Sequence, residues 1–352
     1  MKDTKIFKVN SQSPDKSMIK EAVAILRSGG LIAFPTETVY GLAALPNKEI
    51  AVEKLRYVKN RYEVKQFSFC IHSIEQAEQL TGDIIPNAYK LMNKFWPGPL
   101  TLVLDARGGE TVGLRMPDHP IAQLFLEEVD EPIFAPSANF PGEKAPVNAQ
   151  DVLNALNNKI EGLIDAGESE LKLSSTVCKM TAEGFEILRE GAITHEMISE
   201  ALKTKEILFV CTGNSCRSAM AEGIMRKAVK DIKNIHISSA GVATYDGMPA
   251  SKEAILVMEN AGVDISGHRA RRVTDRMLKV ADFILVMDQG HKQHILNSVN
   301  GIGKKVFLLK EFSDEKSGQM AIQDPIGRHI SFYERVANEL QKSIEGLVEK
   351  IK

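Results

Sequence analysis

The sequence predicts an α/β protein with two domains, and three observations support this. The chain has 352 residues, which is long for one hydrophobic core and suggests about two domains. Its second half alternates apolar runs of strand length with segments of helical periodicity. One apolar run, residues 207–210, leads into a loop that holds Cys211 and Arg217, and a helical pattern follows. Such alternation predicts a parallel sheet covered by helices on both faces.

The composition narrows the class of protein. With 43% hydrophobic and 26% charged residues, we expect a folded, soluble chain rather than a disordered one. The net charge of −2 gives no general argument for nucleic-acid binding, although it allows a local basic face. No stretch approaches the roughly 18 apolar residues of a membrane span, and residues 1–5 do not begin a signal peptide. We therefore expect no membrane partner.

The four cysteines, at positions 70, 178, 211 and 216, do not form a disulfide framework for a chain of this size. This use of cysteine predicts a cytoplasmic protein.

The boundary between the domains is predicted from the strand that enters the cysteine loop. In doubly wound folds with such a loop this strand comes first, so the second domain begins near Lys205. Residues 194–203 have the pattern of a helix, and Thr204 is then the linker. The predicted domains are residues 1–203 and 205–352.

The first domain begins with a buried strand followed by a polar loop. Residues 31–34 are apolar, and residues 35–41 form a loop rich in hydroxyl groups. Asn47 is the predicted N-cap of a helix, because apolar residues recur at helical spacing after it. This helix ends in a basic cluster of the kind that is usually only a solvated helix end.

Further polar residues follow strands later in the first domain. Residues 96–101 form a turn into the strand 102–104, and the strand 133–135 ends at Ser137 and Asn139. Ligands of α/β sheets gather at such carboxyl ends. Hydroxyl-rich loops accompany four cations, namely Arg61, Lys65, Arg115 and Arg189. These residues predict a site for a small anionic ligand, most simply one that carries phosphate. A lone histidine such as His119 is usually structural.

The ordered set of motifs resembles the YrdC-like, L-threonylcarbamoyladenylate synthase family from about Phe7 to Ala192. The motifs are Pro35–Gly41, Lys59-Asn60-Arg61, Ser137-Ala138-Asn139, Ser174–Val177 and Leu188–Gly191. The resemblance implies a twisted α/β domain. It also implies that L-threonine, bicarbonate and ATP react to give threonylcarbamoyl-AMP and pyrophosphate, for modification of an adenosine beside the tRNA anticodon. A tRNA and tRNA-modification proteins are then the implied partners.

The same resemblance implies two sets of binding residues. The residues for threonine are Thr38, Ser137, Ser175 and His119. The residues for ATP are Lys59, Arg61, Lys65, Arg115, Asn139 and Arg189. Several cations suit a triphosphate and the charge that develops as pyrophosphate leaves. We expect Mg²⁺ to accompany ATP on its phosphates, and we assign no protein ligand to a metal. No residue looks like a general base, so catalysis by positioning is the simpler expectation.

Three positions depart from the family pattern. Tyr62 stands where a proline is usual, Cys70 where a histidine is expected, and Val147 where a hydroxyl residue is expected. These departures leave the phosphate-binding cations unchanged, but they affect residues expected to form the threonine pocket. An alternative is therefore a nucleotide- or RNA-binding module without turnover.

The second domain contains four predicted strands, at residues 206–210, 236–240, 283–287 and 305–309. Helical patterns lie between them, such as residues 254–261. The last helix has a core face that comprises Phe332, Val336, Leu340, Ile344, Leu347 and Ile351. The pattern predicts a doubly wound, parallel, four-stranded sheet.

The loop after the first of these strands has the chemistry of an anion site. Backbone N–H groups at a helix N-terminus bind anions, and Arg217 can hold a phosphate through two hydrogen bonds. At such a site we expect Cys211 to have a lowered pKa and to be a ready nucleophile.

The string from Cys211 to Ser218 resembles the signature of the low-molecular-weight protein phosphatases. Alone, Asp324-Pro325 is usually only a turn, but beside this loop it resembles the family's general-acid loop. The resemblance implies Cys211 as nucleophile, Arg217 as phosphate ligand, Asp324 as general acid, and no cofactor. It also implies that Ser218 donates a hydrogen bond to the thiolate. The remaining loop residues are Thr212, Gly213, Asn214, Ser215 and Cys216, of which Asn214 holds the loop's conformation. Cys216 is either a resolving thiol or a packed small residue.

The sequence also bears on which phosphorylated residue the phosphatase would hydrolyse. Ser215 stands where tyrosine phosphatases of this family commonly have a bulky aliphatic residue, and Ile326 and Gly327 follow Asp-Pro instead of aromatic residues. Both features look closer to the protein-arginine phosphatase branch. A small hydroxyl leaves room for a guanidinium and can hydrogen-bond to it, so we predict phosphoarginine, with phosphotyrosine as the alternative.

Overall fold

The computed structural model describes residues 3–60, 67–181, 184–313 and 320–351. The chain divides into two compact units, Met1–Ser199 and Glu200–Lys352. This division falls inside a helix, His195–Lys203, and the domain boundary at residues 203–205 stays a prediction. None of the described helices combines the length and the apolar character that crossing a bilayer demands.

The first unit contains two mixed sheets. Its strands are β1 (Lys5–Lys8), β2 (Ile32–Phe34), β3 (Gly41–Ala43), β4 (Phe69–Cys70), β5 (Leu100–Asp105), β6 (Thr111–Arg115), β7 (Ile133–Phe134), β8 (Gly162–Asp165), β9 (Thr176–Thr181) and β10 (Gly184–Arg189). Its helices are α1 (Lys16–Arg27), α2 (Glu49–Val58), α3 (Ile74–Leu80), α4 (Pro86–Phe95), α5 (Pro120–Val129) and α6 (Ala149–Leu156), and α7 is His195–Lys203 at the division. The strand orders are β1-β8-β2-β3 and β10-β9-β5-β6-β4-β7.

Backbone hydrogen bonds bring the loop after β2 against the loop after β7. The N–H of Leu42 donates to the carbonyl of Pro136 at 2.7 Å, and the N–H of Ala138 donates to the carbonyl of Tyr40 at 2.9 Å. Gly41 also forms a bridge with Ser137. The two hydroxyl-rich loops of the sequence are therefore neighbours in space.

The predicted N-cap of α2 is wrong by one residue. The N-cap position is Lys48, and no side chain caps the helix there. Asn47 instead donates from Nδ2 to Glu131 Oε2 at 3.0 Å. A tertiary partner has replaced the local cap, which sequence periodicity does not reveal.

The second unit is a doubly wound parallel sheet, as predicted. Its strands are β11 (Lys205–Cys211), β12 (Ile235–Gly241), β13 (Phe283–Val286) and β14 (Val306–Leu308), in the order β12-β11-β13-β14. Its helices are α8 (Arg217–Ala228), α9 (Lys252–Asn260), α10 (Asp275–Val280), α11 (Gln289–Ser298) and α12 (Ile330–Ile351), with 3₁₀ turns at Gly303–Lys305 and Leu309–Phe312. All three pairings are parallel. The strand order changes direction beside β11, where ligands bind in such sheets.

Helix α12 covers one face of this sheet. Val336, Leu340, Ile344, Leu347 and Ile351 are buried at helical spacing, as predicted. The first buried residue of this face is Tyr333, whereas the predicted Phe332 is only partly buried. The core face thus begins one residue later than the apolar pattern indicates.

Shortening the side chain of Leu340 should destabilise the second unit. Leu340 is fully buried, so Leu340→Ala removes core contacts and leaves a cavity, and we expect a loss of about 2–5 kcal/mol. The matched control is Leu256→Ala, because Leu256 is 47% exposed and its replacement should change stability by less than about 1 kcal/mol. Urea unfolding measures both, and equal losses for the two variants would contradict the assigned core.

Candidate active sites

A cavity of about 340 Å³ lies in the first unit where the hydroxyl-rich loops meet. Five residues predicted to bind threonine or ATP line it together: Lys59, Arg115, Ser137, Ser175 and Arg189. Phe34, Tyr40, Phe67 and Phe69 add aromatic walls. The cavity therefore joins cations and hydroxyl groups on an apolar frame, which suits a small anionic ligand with an apolar part.

Arg189 is held against Ser175. Arg189 Nη2 donates to the Ser175 carbonyl at 2.8 Å and to Ser175 Oγ at 3.0 Å. Ser175 Oγ also lies 2.9 Å from Thr101 Oγ1. Gly191 permits this approach, because a Cβ there would lie 2.3 Å from the Ser174 carbonyl oxygen. The chain after β10 thus passes close to residues 174–176, and the Arg189 guanidinium is held at the cavity wall.

Arg189 and Arg115 both line the cavity, and the positive charges of their guanidinium groups repel each other. Burial lowers the pKa of Arg189, and the nearby charge of Arg115 lowers it further. A bound anion would relieve this repulsion, since an opposite charge favours the charged form of each guanidinium.

Lys59 is oriented by backbone and amide oxygens. Its Nζ donates to the carbonyls of Ser137 at 2.9 Å and Asn139 at 2.6 Å, and to Asn139 Oδ1 at 3.1 Å. Ser137 Oγ donates to Asn139 Oδ1 at 2.6 Å. Asn139 is not among the residues that line the cavity. Asn139 therefore orients Lys59 and Ser137 by accepting hydrogen bonds from both side chains.

Arg115 is paired with a buried carboxylate that the sequence analysis missed. Arg115 Nη2 lies 2.7 Å from Glu37 Oε1, and both side chains are at most 10% exposed. Glu37 Oε2 is buried and makes no hydrogen bond with the described residues. Neighbouring Thr38 is also buried, and its Oγ1 lies 2.9 Å from Thr36 Oγ1. A carboxylate inside a hydroxyl-rich loop between apolar elements is the signal that could have identified Glu37.

Other predicted residues lie away from the cavity or outside the described part. His119 does not line it; the ring is the N-cap of α5 and accepts from the N–H of Ile121 at 3.2 Å, and burial lowers its pKa. Of the family departures, Cys70 lines the cavity and Val147 does not. Burial raises the pKa of Cys70 to about 11. Arg61, Tyr62 and Lys65 lie outside the described residues.

In the second unit, Cys211 ends strand β11 and its thiol is buried by the following loop. Its Sγ lies 2.9 Å from Ser218 Oγ and accepts from the N–H of Asn214 at 3.2 Å. Burial raises the pKa of Cys211, while the Ser218 hydrogen bond and the charge of Arg217 oppose that rise. The pKa of Cys211 is therefore raised rather than lowered as the sequence predicted, because burial outweighs the groups that stabilise the thiolate.

Asn214 holds the loop in a left-handed backbone conformation, with φ of 51°. Its Nδ2 donates to Ser218 Oγ and Ser239 Oγ, both at 2.8 Å. Its carbonyl accepts from His268 Nε2 at 2.7 Å, and its Oδ1 accepts from the N–H of Arg271 at 3.0 Å. All the polar groups of this side chain are engaged, which fixes the direction of the loop amides.

Gly241, the last residue of β12, is required by a close approach. A Cβ there would lie 2.6 Å from the carbonyl oxygen of Thr212 and 3.1 Å from the N of Asn214. Any side chain at this position would displace the loop.

Arg217 reaches two carboxylates across the loop. Its Nη2 lies 2.5 Å from Asp324 Oδ2, and its Nη1 lies 3.5 Å from Asp288 Oδ2. Its Nη1 also donates to the carbonyl of Ile322 at 3.3 Å. The structure thus brings the three residues predicted to be catalytic, Cys211, Arg217 and Asp324, to one end of the sheet.

Asp288 and His291, which follow β13 at the start of α11, also contact residues of the site. Thr212 Oγ1 lies 2.9 Å from His291 Nε2. His291 Nδ1 lies 2.8 Å from Asp288 Oδ1, in an orientation that forms no hydrogen bond. Burial lowers the pKa of His291. The position of Asp288 after a buried strand was the available signal for it.

Ser215 and Cys216 complete the loop. Ser215 Oγ lies 3.7 Å from Cys216 Sγ. Cys216 Sγ is buried 3.3 Å from Ser251 Oγ and 3.7 Å from the hydroxyl of Tyr333. The Cys216 thiol is thus surrounded by hydroxyl groups.

Two family models match the chain, one for each unit. A family described as telomere recombination (Sua5/YciO/YrdC) matches residues 24–191. The low-molecular-weight phosphotyrosine protein phosphatase family matches residues 206–352.

Relatives of the first half are synthases. The chain is 39% identical over 200 residues to a threonylcarbamoyl-AMP synthase of Bacillus subtilis, covering 54% of the chain and 58% of the relative. It is 35% identical to a putative threonylcarbamoyl-AMP synthase of Mycobacterium tuberculosis, covering 52% of the chain and 88% of the relative. A solved structure of a variant of Pyrococcus abyssi Sua5 is 29% identical with a TM-score of 0.53, covering 80% of this chain and 98% of that one. The chain spans less than two thirds of the B. subtilis and P. abyssi synthases, 58% and 63% of their lengths.

Relatives of the second half are phosphatases. The chain is 35% identical to a protein-arginine-phosphatase of Geobacillus stearothermophilus, covering 41% of the chain and 95% of the relative. It is also 35% identical to a probable low-molecular-weight protein-tyrosine-phosphatase of Ralstonia nicotianae, covering 42% of the chain and 97% of the relative. The chain belongs to both families, one in each half.

A metal site in either family domain would need several ligand side chains close together. No group of three or more His, Cys, Asp or Glu side chains that could hold a metal ion occurs among the described residues. Glu37 is paired with Arg115, so the described cavity of the synthase-family half offers hydroxyl groups and cations rather than a set of carboxylates. Magnesium that enters with ATP would depend on phosphate oxygens for most of its ligands.

Removing the Ser218 hydroxyl should raise the pKa of Cys211 further. A hydrogen bond to the thiolate lowers this pKa, so Ser218→Ala should slow alkylation by iodoacetamide severalfold near pH 7 and shift its pH profile to higher pH. The control is Ser313→Ala, outside the thiol loop. An unchanged profile in Ser218→Ala would show that this hydroxyl does not stabilise the thiolate.

Proposed function

We propose that the chain is a bifunctional enzyme. The synthase-family half makes L-threonylcarbamoyl-AMP and pyrophosphate from L-threonine, bicarbonate and ATP. The phosphatase-family half hydrolyses phosphoproteins through a phosphocysteine intermediate. The first product would serve tRNA modification, with tRNA and the modification proteins as partners, and both reactions would take place in the cytoplasm.

The synthase proposal rests on one observation, the convergence of Lys59, Arg115 and Arg189 with Ser137 and Ser175 on one cavity. The three cations suit the phosphates of ATP, together with Arg61 and Lys65 of the motif. The hydroxyl groups of Ser137 and Ser175 suit the polar groups of threonine, and Asn139 accepts a hydrogen bond from Ser137. Thr38 does not line the cavity, and its hydroxyl contacts Thr36 within the same loop. His119 is part of the family-derived threonine set, and its capping of α5 supports a structural role instead.

The chemistry requires little more than positioning. The threonine amine and bicarbonate give a carbamate with loss of water, and a carbamate oxygen then attacks the α-phosphorus of ATP. An O–P bond forms as the bond to pyrophosphate breaks, so negative charge accumulates on the leaving group. Cations held at fixed positions stabilise that charge without reorganising, because Lys59 and Arg189 are already hydrogen-bonded to the cavity wall.

Replacing Arg189 should strongly reduce threonine-dependent pyrophosphate release. Arg189→Ala removes a cation and a hydrogen bond to Ser175, so we expect kcat/KM for ATP to fall by about a hundredfold. The measurement is pyrophosphate release from ATP with and without L-threonine and bicarbonate. The control is Arg56→Ala, which removes an exposed cation on α2 that does not line the cavity.

The same assay separates the synthase from the alternative, a nucleotide- or RNA-binding module without turnover. Cys70 motivates this alternative, since it is a family departure that lines the cavity. ATP binding without any release that depends on threonine would favour the module. Release that needs both co-substrates would favour the synthase and make Cys70 a tolerated variant.

The phosphatase proposal rests on the placement of Cys211 under the N–H of Asn214 and the hydroxyl of Ser218, with Arg217 bound to Asp324. The Cys211 thiolate would attack phosphorus, and an S–P bond forms as the bond to the leaving group breaks. Arg217 and the loop amides of residues 212–217 would hold the equatorial oxygens. Asp324 would give a proton to the leaving group.

Hydrolysis of the intermediate would use the same residues. Asp324, now a carboxylate, accepts a proton from water as the water oxygen attacks phosphorus. The S–P bond breaks, inorganic phosphate leaves, and the Cys211 thiolate returns. The exposure of the Asp324 side chain, 42%, supports this role, because a proton donor at the surface can exchange with solvent between turnovers.

For the substrate residue we favour phosphoarginine over phosphotyrosine. The supporting feature is Ser215, a partly buried small hydroxyl in the loop. Relatives named for either activity match at the same 35% identity, so the proposed preference rests on pocket chemistry alone. A hydroxyl acceptor pairs with a guanidinium N–H, which an aliphatic side chain leaves without a partner.

Replacing Ser215 with leucine should reverse this preference. Ser215→Leu removes the acceptor and narrows the pocket, so kcat/KM for phosphoarginine should fall about tenfold or more relative to phosphotyrosine. Phosphate release from matched phosphoarginine and phosphotyrosine peptides measures it, with Cys211→Ser as the inactive control. A wild-type preference for phosphotyrosine, left unchanged by the substitution, would contradict the assignment.

A further inference from the structure

Two loops form a wall beside the Cys211 loop. The first loop, residues 242–251, is hydrogen-bonded to the Cys211 loop at two points. The N–H of Ala243 donates to the Thr212 carbonyl at 3.0 Å, and the N–H of Ser251 donates to the Ser215 carbonyl at 2.9 Å. The second, residues 266–273, is tied to the Cys211 loop by Arg271, whose N–H donates to Asn214 Oδ1. Side chains of these loops therefore border the thiol site.

The two loops also pair with each other. The N–H of Gly247 donates to the Ala270 carbonyl at 2.8 Å, and the N–H of Ala270 donates to the Met248 carbonyl at 2.7 Å. The N–H of Arg272 donates to Asp246 Oδ1 at 2.7 Å. The wall is thus one hydrogen-bonded ribbon, which presents its side chains from a fixed backbone.

Large apolar and cationic side chains are exposed on this ribbon. Tyr245 is 85% exposed and Met248 is 54% exposed, whereas most large apolar side chains described in this unit are buried. Arg269 and Arg272 are exposed as well. Arg271 serves the loop itself, since its Nε donates to the Ser239 carbonyl at 2.9 Å. Exposed aromatic, methionine and arginine side chains grouped together are typical of protein-binding surfaces.

We propose that Tyr245, Met248, Arg269 and Arg272, here called the arginine wall, bind acidic protein segments that flank the phosphorylated residue. This inference rests on the proposed phosphatase function. A phosphoresidue that reaches Cys211 must bring its neighbouring residues across the surface around the thiol site. On the ribbon Asp246 is the only carboxylate beside three arginines, so the charge complements Glu and Asp side chains.

A peptide partner is favoured over RNA by the apolar members of the arginine wall. Tyr245 and Met248 offer contact area to aliphatic side chains, and they lie on the same ribbon as the cations. RNA binding is the competing outcome of the test.

The experiment compares Arg272→Glu with the wild-type full chain on two phosphopeptides of equal length, one with glutamates and one with serines around the phosphoresidue. We expect the wild type to prefer the acidic peptide. Arg272→Glu should lower kcat/KM for that peptide by about threefold to tenfold, and for the serine peptide by little. The difference should disappear at about 0.5 M salt because rim charges are screened.

The matched control is Lys233→Glu, which makes the same charge change before β12, at the end of the strand opposite to Gly241. Hydrolysis of p-nitrophenyl phosphate reports the basal reaction, and Arg272→Glu should leave it unchanged. If Arg272→Glu and Lys233→Glu changed kcat/KM for the acidic peptide equally, the proposal that the arginine wall binds acidic segments would be wrong. The proposal would also be wrong if tRNA inhibited the wild-type phosphatase reaction and Arg272→Glu relieved that inhibition, because the surface would then bind RNA. If the wild type hydrolysed none of these substrates, the phosphatase function itself would fall.

Discussion

Each half of the chain depends on a buried arginine that a carboxylate holds in place. Arg115 is paired with Glu37 at 2.7 Å, and Arg217 with Asp324 at 2.5 Å and Asp288 at 3.5 Å. A guanidinium withdrawn from water without a partner is strongly unfavourable, so the carboxylate allows the cation to remain buried before an anion arrives. The pairing also fixes the direction of the guanidinium fork, which matters because recognition of phosphate oxygens is directional.

The two pairs differ in what an arriving phosphate can do to them. Glu37 is almost completely buried, and its carboxylate is enclosed with Arg115, so ligand binding can hardly release it. Asp324 is much more exposed, and it lies on a turn-rich segment before α12. In the proposed phosphatase reaction, phosphate oxygens would take its place on Arg217 and free the carboxylate to act on the leaving group. Asp288 remains beside Arg217, since it also caps α11.

The four strands and the parallel sheet of the second unit could be predicted because their causes are local in sequence. Buried strands are apolar runs, and the Cys211–Arg217 loop lies between one strand and one helix, so the contacts of Cys211 with Asn214 and Ser218 involve residues nearby in sequence. The supports were missed because they come from distant positions. Ser239 and His268 reach Asn214 from 25 and 54 residues away, and nothing in their own neighbourhood marks them. The raised pKa of Cys211 escaped prediction for a related reason, since burial is a property of the whole fold.

The departures from the family pattern carry unequal weight once their surroundings are known. Val147 takes part through its backbone, since its N–H donates to Asp151 Oδ2 at 3.1 Å and its carbonyl accepts from Ser169 at 2.7 Å. A hydroxyl at that position is therefore not needed for these contacts. Cys70 is different, because its side chain lines the cavity beside Arg115 and its raised pKa keeps it a neutral thiol. A neutral thiol leaves the positive charge of the cavity undiminished where a thiolate would oppose it. A cysteine at this position thus preserves the electrostatic condition that the proposed binding of ATP requires, and its effect should concern the shape of the cavity rather than its charge.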